Sequence, residues 1–147
     1  MHTAQDLMQR QVIAVLPQTP TEEAIDLLIK NDVSGLPVVD RAGRIVGIFS
    51  EVDRIQRGSK EKRSVQHSMT KKVATVDVQD SLVEVARIFR DNSVRRLPLT
   101  ENGVMVGIIG LRDLVRYIRE TERTLERIVP VFQESKLVES ECWCNAD

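Results

Sequence analysis

The chain has 147 residues, is 41% hydrophobic and 3% aromatic, and carries a formal net charge of −1. That charge argues against a general nucleic-acid or membrane-surface binder, which would need a strong basic excess. No apolar run approaches the roughly 20 residues that span a bilayer, and residues 1–6 lack the features of a signal peptide. Cys142 and Cys144 lie together in the tail and cannot staple the fold, so we expect a reducing cytoplasm.

The sequence contains an internal duplication. A shift of 61 residues pairs identical residues in the first part of each copy: Met8 with Met69, Val12 with Val73, Val15 with Val76, and Pro37 with Pro98. A shift of 60 then pairs Gly43 with Gly103, Gly47 with Gly107, Ile48 with Ile108, and Asp53 with Asp113. The offset changes in a predicted turn, where a length difference costs little. We predict repeat one at 1–58, a linker at 59–64, repeat two at 65–128 and a tail at 129–147.

Each copy is predicted to begin with a short strand, Val12–Val15 or Val73–Val76, followed by a helix. In copy one, residues 19–22 form a predicted capping box with Pro20 at the first helical position, and in copy two Asp80 is the predicted N-cap. The apolar spacing predicts the buried helical residues. They are Ala24, Ile25 and Leu28 in copy one, and Leu82, Val85, Ala86 and Phe89 in copy two.

A hairpin and a second helix are predicted to complete each copy. The hairpins pair Leu36–Val39 with Ile45–Phe49, and Leu97–Leu99 with Val104–Ile109. The closing helices start near Ser50 and Gly110. A unit of roughly 55 residues is marginal for independent folding, so we expect the two copies to pack through their sheets and share a core. The predicted class is α+β.

Two ordered motifs occur in both copies. Copy one carries Gly35-Leu36-Pro37-Val38-Val39-Asp40 and then Gly47-Ile48-Phe49-Ser50-Glu51-Val52-Asp53. Copy two carries Leu97-Pro98-Leu99 and then Gly107-Ile108-Ile109-Gly110-Leu111-Arg112-Asp113. From about residue 4 to 118 the chain resembles a tandem CBS-domain protein, or Bateman module. This resemblance implies two βαββα repeats packed as a pseudo-twofold pair, with adenosyl ligands in clefts between them.

The resemblance implies ligand contacts where the last strand of each copy meets the closing helix. There the Ser50 hydroxyl would meet phosphate, and Asp53 or Asp113 would accept hydrogen bonds from ribose hydroxyls. A carboxylate has the acceptor capacity for a cis-diol, and a helix N-terminus offers N–H groups to an anion. The alternative is local, because Ser50 and Asp53 also make a plausible N-terminal cap. Gly110 replaces the hydroxyl in copy two.

Arg95 and Arg96 stand where basic residues of the family contact phosphate, and a guanidinium suits bidentate phosphate binding. The alternative is that both lie on a solvated strand end; copy one has Ser34 and Gly35 there. The resemblance places the adenine against the first strand and the residue before the motif proline. The implied residues are Val12, Ile13, Ala14 and Pro37 for site one, and Val73, Ala74, Thr75 and Pro98 for site two. Most of these would be apolar core in any protein. Gly35 is a further implied ligand contact.

A helical apolar pattern continues from Leu111 to Val129, and Pro130 is predicted to stop the helix. Such a helix of about 27 Å is longer than its half of the module requires. We expect it to pack on a second subunit; the alternative is that it caps its own. Residues 142–144 supply only two soft ligands, so packing or a partner contact is favoured over a metal or redox role.

The resemblance implies a cytoplasmic, homodimeric regulatory module without catalytic activity. Its ligand would be AMP, ADP or ATP, with S-adenosylmethionine or NAD as further possibilities, and no other cofactor is required. Its conformational change would be read by a separate target protein; no nucleic-acid or membrane partner is expected. No catalytic constellation or Walker sequence is readable. The alternative function is a CBS pair that has lost its ligand and serves as a dimerisation and protein-interaction scaffold.

Overall fold

A computed structural model describes residues 2–51, 64–120 and 130–131. Helices and strands alternate along the chain. They are a first 3-10 helix Ala4–Asp6, α1 Thr21–Asn31, β1 Gly35–Val39, β2 Ile45–Ser50, a second 3-10 helix Val65–His67, β3 Val76–Asp77, α2 Leu82–Asn92, β4 Arg96–Glu101, β5 Val104–Gly110 and α3 Leu111–Glu120. The α+β class and the two-copy organisation are confirmed.

The two predicted hairpins are confirmed. β1 and β2 pair antiparallel, with Gly35 opposite Ser50. In repeat two, β4 lies between β3 and β5, and β3 runs parallel to β4 with Val76 opposite Leu99. The predicted closing helix of repeat two is α3, whereas residues 52–63, where the closing helix of repeat one was predicted, lie outside the described residues.

The first strands are shorter than predicted. In repeat one, Val15 alone pairs with the hairpin, as an isolated parallel bridge to Val38. Its N–H donates to Pro37 O at 3.0 Å, and Val39 N donates to Val15 O at 2.8 Å. In repeat two the strand starts at Val76 rather than three residues earlier. Apolar β-branched residues continue further than the backbone pairing does, and composition therefore overestimated the strands.

The capping box predicted at residues 19–22 is wrong. α1 starts at Thr21, and the N-cap position is held by Pro20, which makes no side-chain cap bond. The Thr19 hydroxyl instead accepts a hydrogen bond from Leu16 N at 3.0 Å. Thr19 thus closes the turn before the helix. Threonine side chains form such local hydrogen bonds to the backbone in turns as well as at helix N-caps.

The N-cap predicted for the second helix is displaced by one residue. Ser81 caps α2, with its Oγ accepting from Glu84 N at 3.2 Å. The Asp80 carboxylate accepts from Asp77 N at 3.0 Å and closes the preceding turn. Two adjacent side chains were both good caps, and only the backbone path decides which of them faces the helix.

The buried faces of α1 and α2 follow the predicted spacing. All four predicted residues of α2 are at most 6% exposed; in α1, Ala24 and Leu28 are buried and Ile25 is partly buried. Each repeat has its own hydrophobic cluster. One contains Val15, Leu36, Val38 and Phe49, and the other contains Val76, Leu97, Leu99, Ile109 and Leu114.

The described residues form two compact units, and each unit combines the body of one repeat with the segment that precedes the other. The second-repeat unit contains residues 2–12, 74–102, 106–120 and 130–131. The first-repeat unit contains residues 13–51, 64–73 and 103–105. We call residues 2–12 the first lead segment and residues 64–73 the second lead segment.

The first lead segment is built into the second-repeat unit. Ala4 is fully buried in that unit's core, and its N–H donates to Asp80 O at 2.8 Å. Further along, Gln9 forms an antiparallel bridge with Ile108 of β5. Gln9 N donates to Ile108 O at 2.7 Å, and Ile108 N donates to Gln9 O at 3.0 Å. The segment therefore contributes both core volume and backbone pairing.

The second lead segment repeats this arrangement in the first-repeat unit. Val65 is fully buried, and its N–H donates to Thr19 O at 2.9 Å. Thr70 and Ile48 of β2 exchange two backbone hydrogen bonds of 2.9 Å each. These pairs are the repeat equivalents of those in the other unit, so the duplication extends to the docking of the lead segments.

Two glycines permit this docking. A Cβ on Gly107 would lie 2.8 Å from Met8 Sδ and 2.9 Å from Gln9 O. A Cβ on Gly47 would lie 2.6 Å from Met69 Sδ and 3.0 Å from Thr70 O. Neither position has room for a side chain, because another stretch of backbone and a methionine occupy that space. We call each glycine and its methionine a glycine seat.

Residues 130–131 belong to the second-repeat unit. Val131 is 6% exposed within its core, and Arg90 Nη1 donates to Val131 O at 3.2 Å. Arg90 Nε also donates to Asp91 Oδ1 at 2.7 Å, and this hydrogen bond lowers the pKa of the Asp91 carboxyl. Pro130 and Val131 are both helical, as the fixed φ of proline permits. Residues 121–129 lie outside the described residues, so the predicted end of the closing helix at Pro130 stays a prediction.

Substituting alanine for a seat glycine should destabilise the fold. In Gly107→Ala, the new methyl group meets a backbone oxygen that cannot move without breaking the bridge to Ile108. We expect a loss of about 1–3 kcal/mol in the free energy of unfolding, measured by urea denaturation, and a similar loss for Gly47→Ala. Gly35→Ala is the control, since its Cβ would make only ordinary contacts, the nearest at 3.4 Å. If all three variants were equally stable, the claim that Gly107 and Gly47 have no room for a side chain would be wrong.

Candidate functional site

The junction between β5 and α3 brings two of the predicted site residues together, Arg95 and Asp113. Asp113 turns back to the end of the strand, where its Oδ2 accepts from Gly110 N at 2.8 Å. Leu111 N donates to Arg95 O at 2.7 Å, which holds the start of α3 against the residue before β4. We call Gly110, Leu111 and Asp113, together with Arg95, the second junction.

The carboxylate of Asp113 has two further neighbours. Gln9 Nε2 lies 3.2 Å from Oδ2 and 3.5 Å from Oδ1. Arg116 Nη1 lies 3.7 Å from Oδ1, and the Asp113 side chain is 13% exposed. The helix-capping role weighed for this motif is therefore present at Asp113. A carboxylate offers about four lone-pair positions, so the cap and a ligand contact can coexist.

Sequence reasoning did not identify Gln9 as part of this junction. Gln9 is 104 residues away from Asp113 in the chain and belongs to no motif of the family pattern. The one available signal is its place directly after Met8, which matches Met69 in the other copy. That match aligns the two lead segments but does not reveal the strand on which they dock.

The junction of repeat one is described only up to Glu51. Gly35 and Ser50 lie directly opposite each other across the hairpin, and both are partly buried. Glu51 N donates to Ser34 O at 3.1 Å, which is the equivalent of the Leu111–Arg95 bond. The predicted site residues Gly35 and Ser50 are thus brought together. Asp53 lies outside the described residues, so its predicted role stays a prediction.

The residues predicted to hold adenine in repeat one fall into two groups. Ala14 is partly buried, and the Val15–Pro37 hydrogen bond places the strand beside Pro37, which is itself buried. Val12 ends the first lead segment and belongs to the second-repeat unit. Because the side chain of Pro37 is buried, we expect Pro37 to contribute to a ligand site by holding the neighbouring backbone in place.

Repeat two shows a similar division. Thr75 is partly buried beside the start of β3, and Pro98 is buried in β4. Val73 ends the second lead segment and belongs to the first-repeat unit. Arg95 is partly buried, whereas Arg96 is exposed at the first position of β4. Their predicted phosphate contacts stay predictions.

Neither a membrane-spanning helix nor a three-residue metal-binding group occurs in the part of the chain that the structure describes. None of its helices has the length and apolarity to cross a membrane. Nor do any three His, Cys, Asp or Glu side chains gather there in an arrangement that could hold a metal ion. The Cys142–Cys144 segment lies outside the described residues.

Comparison with known proteins identifies the family. The CBS domain model matches the chain twice, at residues 4–57 and 63–120. The chain belongs to the CBS-domain family. Both strand-to-helix junctions described above lie inside the matched ranges, as does the docking part of each lead segment.

Solved CBS-pair structures share the fold. A crystal structure of CBSX2 in complex with AMP superposes with a TM-score of 0.73 at 28% identity, covering 84% of this chain and all of that one. The CBS domain pair of protein MJ0100, in complex with 5'-methylthioadenosine and S-adenosyl-L-methionine, gives a TM-score of 0.69 at 25% identity. It covers 79% of this chain and 98% of that one.

The curated relatives differ in length. The CBS domain-containing protein YhcV of Bacillus subtilis is 29% identical over 78% of this chain and 84% of its own length. The inosine-5'-monophosphate dehydrogenase of Aquifex aeolicus is 32% identical over 71% of this chain. The match spans only 22% of that enzyme's length, so it carries no evidence of catalysis here.

The cap at Asp113 can be separated from any ligand role by its effect on stability. Asp113→Ala leaves Gly110 N without its acceptor and should lower the free energy of unfolding by about 1–2 kcal/mol. Asp113→Asn keeps an acceptor oxygen at nearly the same place and should lose less than half of that. Urea denaturation without any ligand measures both, and identical losses would show that charge rather than the hydrogen bond is at work.

Proposed function

We propose that this CBS pair is a regulatory module that binds an adenosyl ligand at its strand-to-helix junctions and signals by conformational change. The observation that carries the proposal is the second junction. There Asp113, the Gly110 amide and the backbone of Arg95 converge at the start of α3. The AMP complex of CBSX2 and the methylthioadenosine and S-adenosylmethionine complex of MJ0100 support the ligand class.

The chemistry of Asp113 suits a ribose. Of its roughly four lone-pair positions, the Gly110 amide and the Gln9 amide use two, both on Oδ2. Among the described residues, Oδ1 has only the longer Gln9 and Arg116 contacts, at 3.5 and 3.7 Å, and it can accept a hydrogen bond from a ribose hydroxyl. Arg116 beside it adds a cation at the rim, with its own side chain 71% exposed.

The two sites are proposed to differ in the charge of the ligand they prefer. The second junction has Gly110 where the family pattern has a hydroxyl, and it has Arg95 and Arg96 on the adjoining chain. The first junction has the Ser50 hydroxyl and the neutral Ser34 and Gly35 instead. Guanidinium groups bind phosphate more strongly than a hydroxyl does. We therefore propose that the second site favours nucleotides with phosphate groups, and that the two sites fill unequally.

The remaining parts of the proposal rest on the family resemblance and on the sequence. The ligand is AMP, ADP or ATP, with S-adenosylmethionine or NAD as further candidates, and the chain catalyses no reaction itself. It acts as a cytoplasmic homodimer whose change of state is read by a separate target protein. A ligand shifts such an equilibrium only through its different affinities for the two states.

A ligand-free scaffold is the second candidate function, and one observation favours it. The Asp113 carboxylate already receives two hydrogen bonds from within the chain, from Gly110 N and from Gln9. A residue kept solely for the helix cap would look the same. Ligand binding decides between the two functions, because a scaffold needs none.

Calorimetric titration tests the proposed function. We expect at least one of AMP, ADP, ATP, NAD and S-adenosylmethionine to bind, and we expect Asp53→Ala combined with Asp113→Ala to abolish that binding. The double variant must first be shown to remain folded, by far-UV circular dichroism. Absence of binding with all five compounds would leave the scaffold as the function. Binding that survives the double substitution would show that the ligand sits elsewhere.

The arginines can be tested with a pair of ligands that differ in charge. Arg95→Gln combined with Arg96→Gln should weaken AMP binding about tenfold or more, because a charge-assisted hydrogen bond to phosphate is lost. Binding of 5'-methylthioadenosine, which has no phosphate, should change less than twofold. Glutamine keeps a long polar side chain, which limits the effect on the fold. Equal weakening of both ligands would mean that the arginines do not recognise phosphate.

A further inference from the structure

Gln9 reaches the carboxylate that is proposed to bind ribose. Its side-chain amide donates to Asp113 Oδ2 at 3.2 Å and lies 3.5 Å from Oδ1. No other side-chain amide is placed on that carboxylate among the hydrogen bonds of the described residues. Gln9 comes from the first lead segment, so the contact joins two parts of the chain that the family motifs do not connect.

The amide of Gln9 offers Asp113 the same chemistry as a ribose hydroxyl. Each is a neutral donor to a carboxylate, and each can take one lone-pair position. Oδ2 already accepts from Gly110 N at 2.8 Å, and Gln9 adds a second bond to the same oxygen. A cis-diol that places one hydroxyl on each oxygen therefore needs the position that Gln9 holds.

The backbone of Gln9 is held independently of its side chain. Its N–H and C=O are both bonded to Ile108, at 2.7 and 3.0 Å, and the preceding Met8 packs on Gly107. The residue itself is exposed to solvent. The amide can therefore leave Asp113 by rotation of the side chain, without detaching the lead segment from β5.

Repeat one has no glutamine at the equivalent position. Thr70 forms the same backbone bridge, to Ile48 of β2, that Gln9 forms to Ile108. Its side chain is two atoms shorter in reach and carries a hydroxyl in place of an amide. The two repeats thus share the docking of the lead segment and differ in the side chain it presents.

We propose that Gln9 is an internal competitor for Asp113, occupying the carboxylate in the absence of ligand and lowering the affinity of the second site. This inference rests on the proposed function. It adds that the first lead segment regulates the second site through Gln9. At the first site the equivalent position is held by Thr70 of the second lead segment. A nucleoside ligand must displace the Gln9 amide, and the contact therefore sets the ligand concentration at which the second site responds.

The test compares Gln9→Ala and Gln9→Thr with the unaltered chain. Each is titrated calorimetrically with AMP and with S-adenosylmethionine, with and without Asp113→Ala, so that the binding that depends on Asp113 is isolated. We expect both Gln9 variants to bind about two- to tenfold more tightly at that site, the range expected for the loss of one solvent-exposed hydrogen bond. Gln11→Ala is the matched control, an exposed glutamine of the same segment, and should leave the affinity unchanged.

A second readout follows the amide directly. In the unaltered chain, the side-chain ¹⁵N–¹H₂ resonances of Gln9 should shift when AMP is added, as the amide leaves the carboxylate. The same resonances should shift in Asp113→Ala without ligand.

Each outcome decides the inference. Tighter Asp113-dependent binding by both Gln9 variants, with the affinity of Gln11→Ala unchanged, would support it. If the Gln9 variants bind no more tightly than the unaltered chain at the Asp113-dependent site, the inference is overturned and the proposed function remains intact. If neither the unaltered chain nor the variants bind, the inference and the proposed function both fail, since a competitor whose removal admits no ligand is not one.

Discussion

The close approach of each lead segment to the second strand of a hairpin is the constraint on which the rest of the structure depends. At Gly107 and Gly47, any side chain would collide with a methionine and with a backbone oxygen. Only this approach lets Gln9 and Thr70 form their bridges to Ile108 and Ile48. It also lets Ala4 and Val65 fill the cores of units whose hairpins belong to the other repeat. The hydrophobic core of each unit therefore includes a residue from a lead segment that precedes the other repeat.

This constraint has a chemical consequence at the second junction. Docking of the first lead segment places Gln9 beside Asp113, while the local turn places Gly110 N on the same carboxylate. The group that caps α3 is thus the group proposed to read a ribose. Stability and ligand recognition share one side chain. The contributions of Asp113 to stability and to ligand recognition can be separated by substitutions that change one hydrogen bond at a time. Substitutions at Gln9 do this, because Gln9 is not part of the helix cap.

Much of the fold was predictable because it is periodic or duplicated. The buried faces of α1 and α2, both hairpins and the repeat itself follow from spacing. The first strands and both caps were predicted less well, since adjacent residues such as Asp80 and Ser81 compete for one role and the backbone path selects the winner. The site was predictable only within motifs. Gln9 was missed because its contact arises from tertiary docking, which leaves no local pattern in the sequence.

The most direct test of the central claim is a backbone amide map of ligand binding. In a ¹⁵N–¹H correlation spectrum, saturating AMP should shift the amide resonances of Gly110, Leu111 and Asp113 more than that of Gly103, at the exposed turn of the same hairpin. Gln9 should respond with them, because its side chain shares the carboxylate. A ligand that binds while these resonances stay unchanged would contradict the account of the second junction as an adenosyl site.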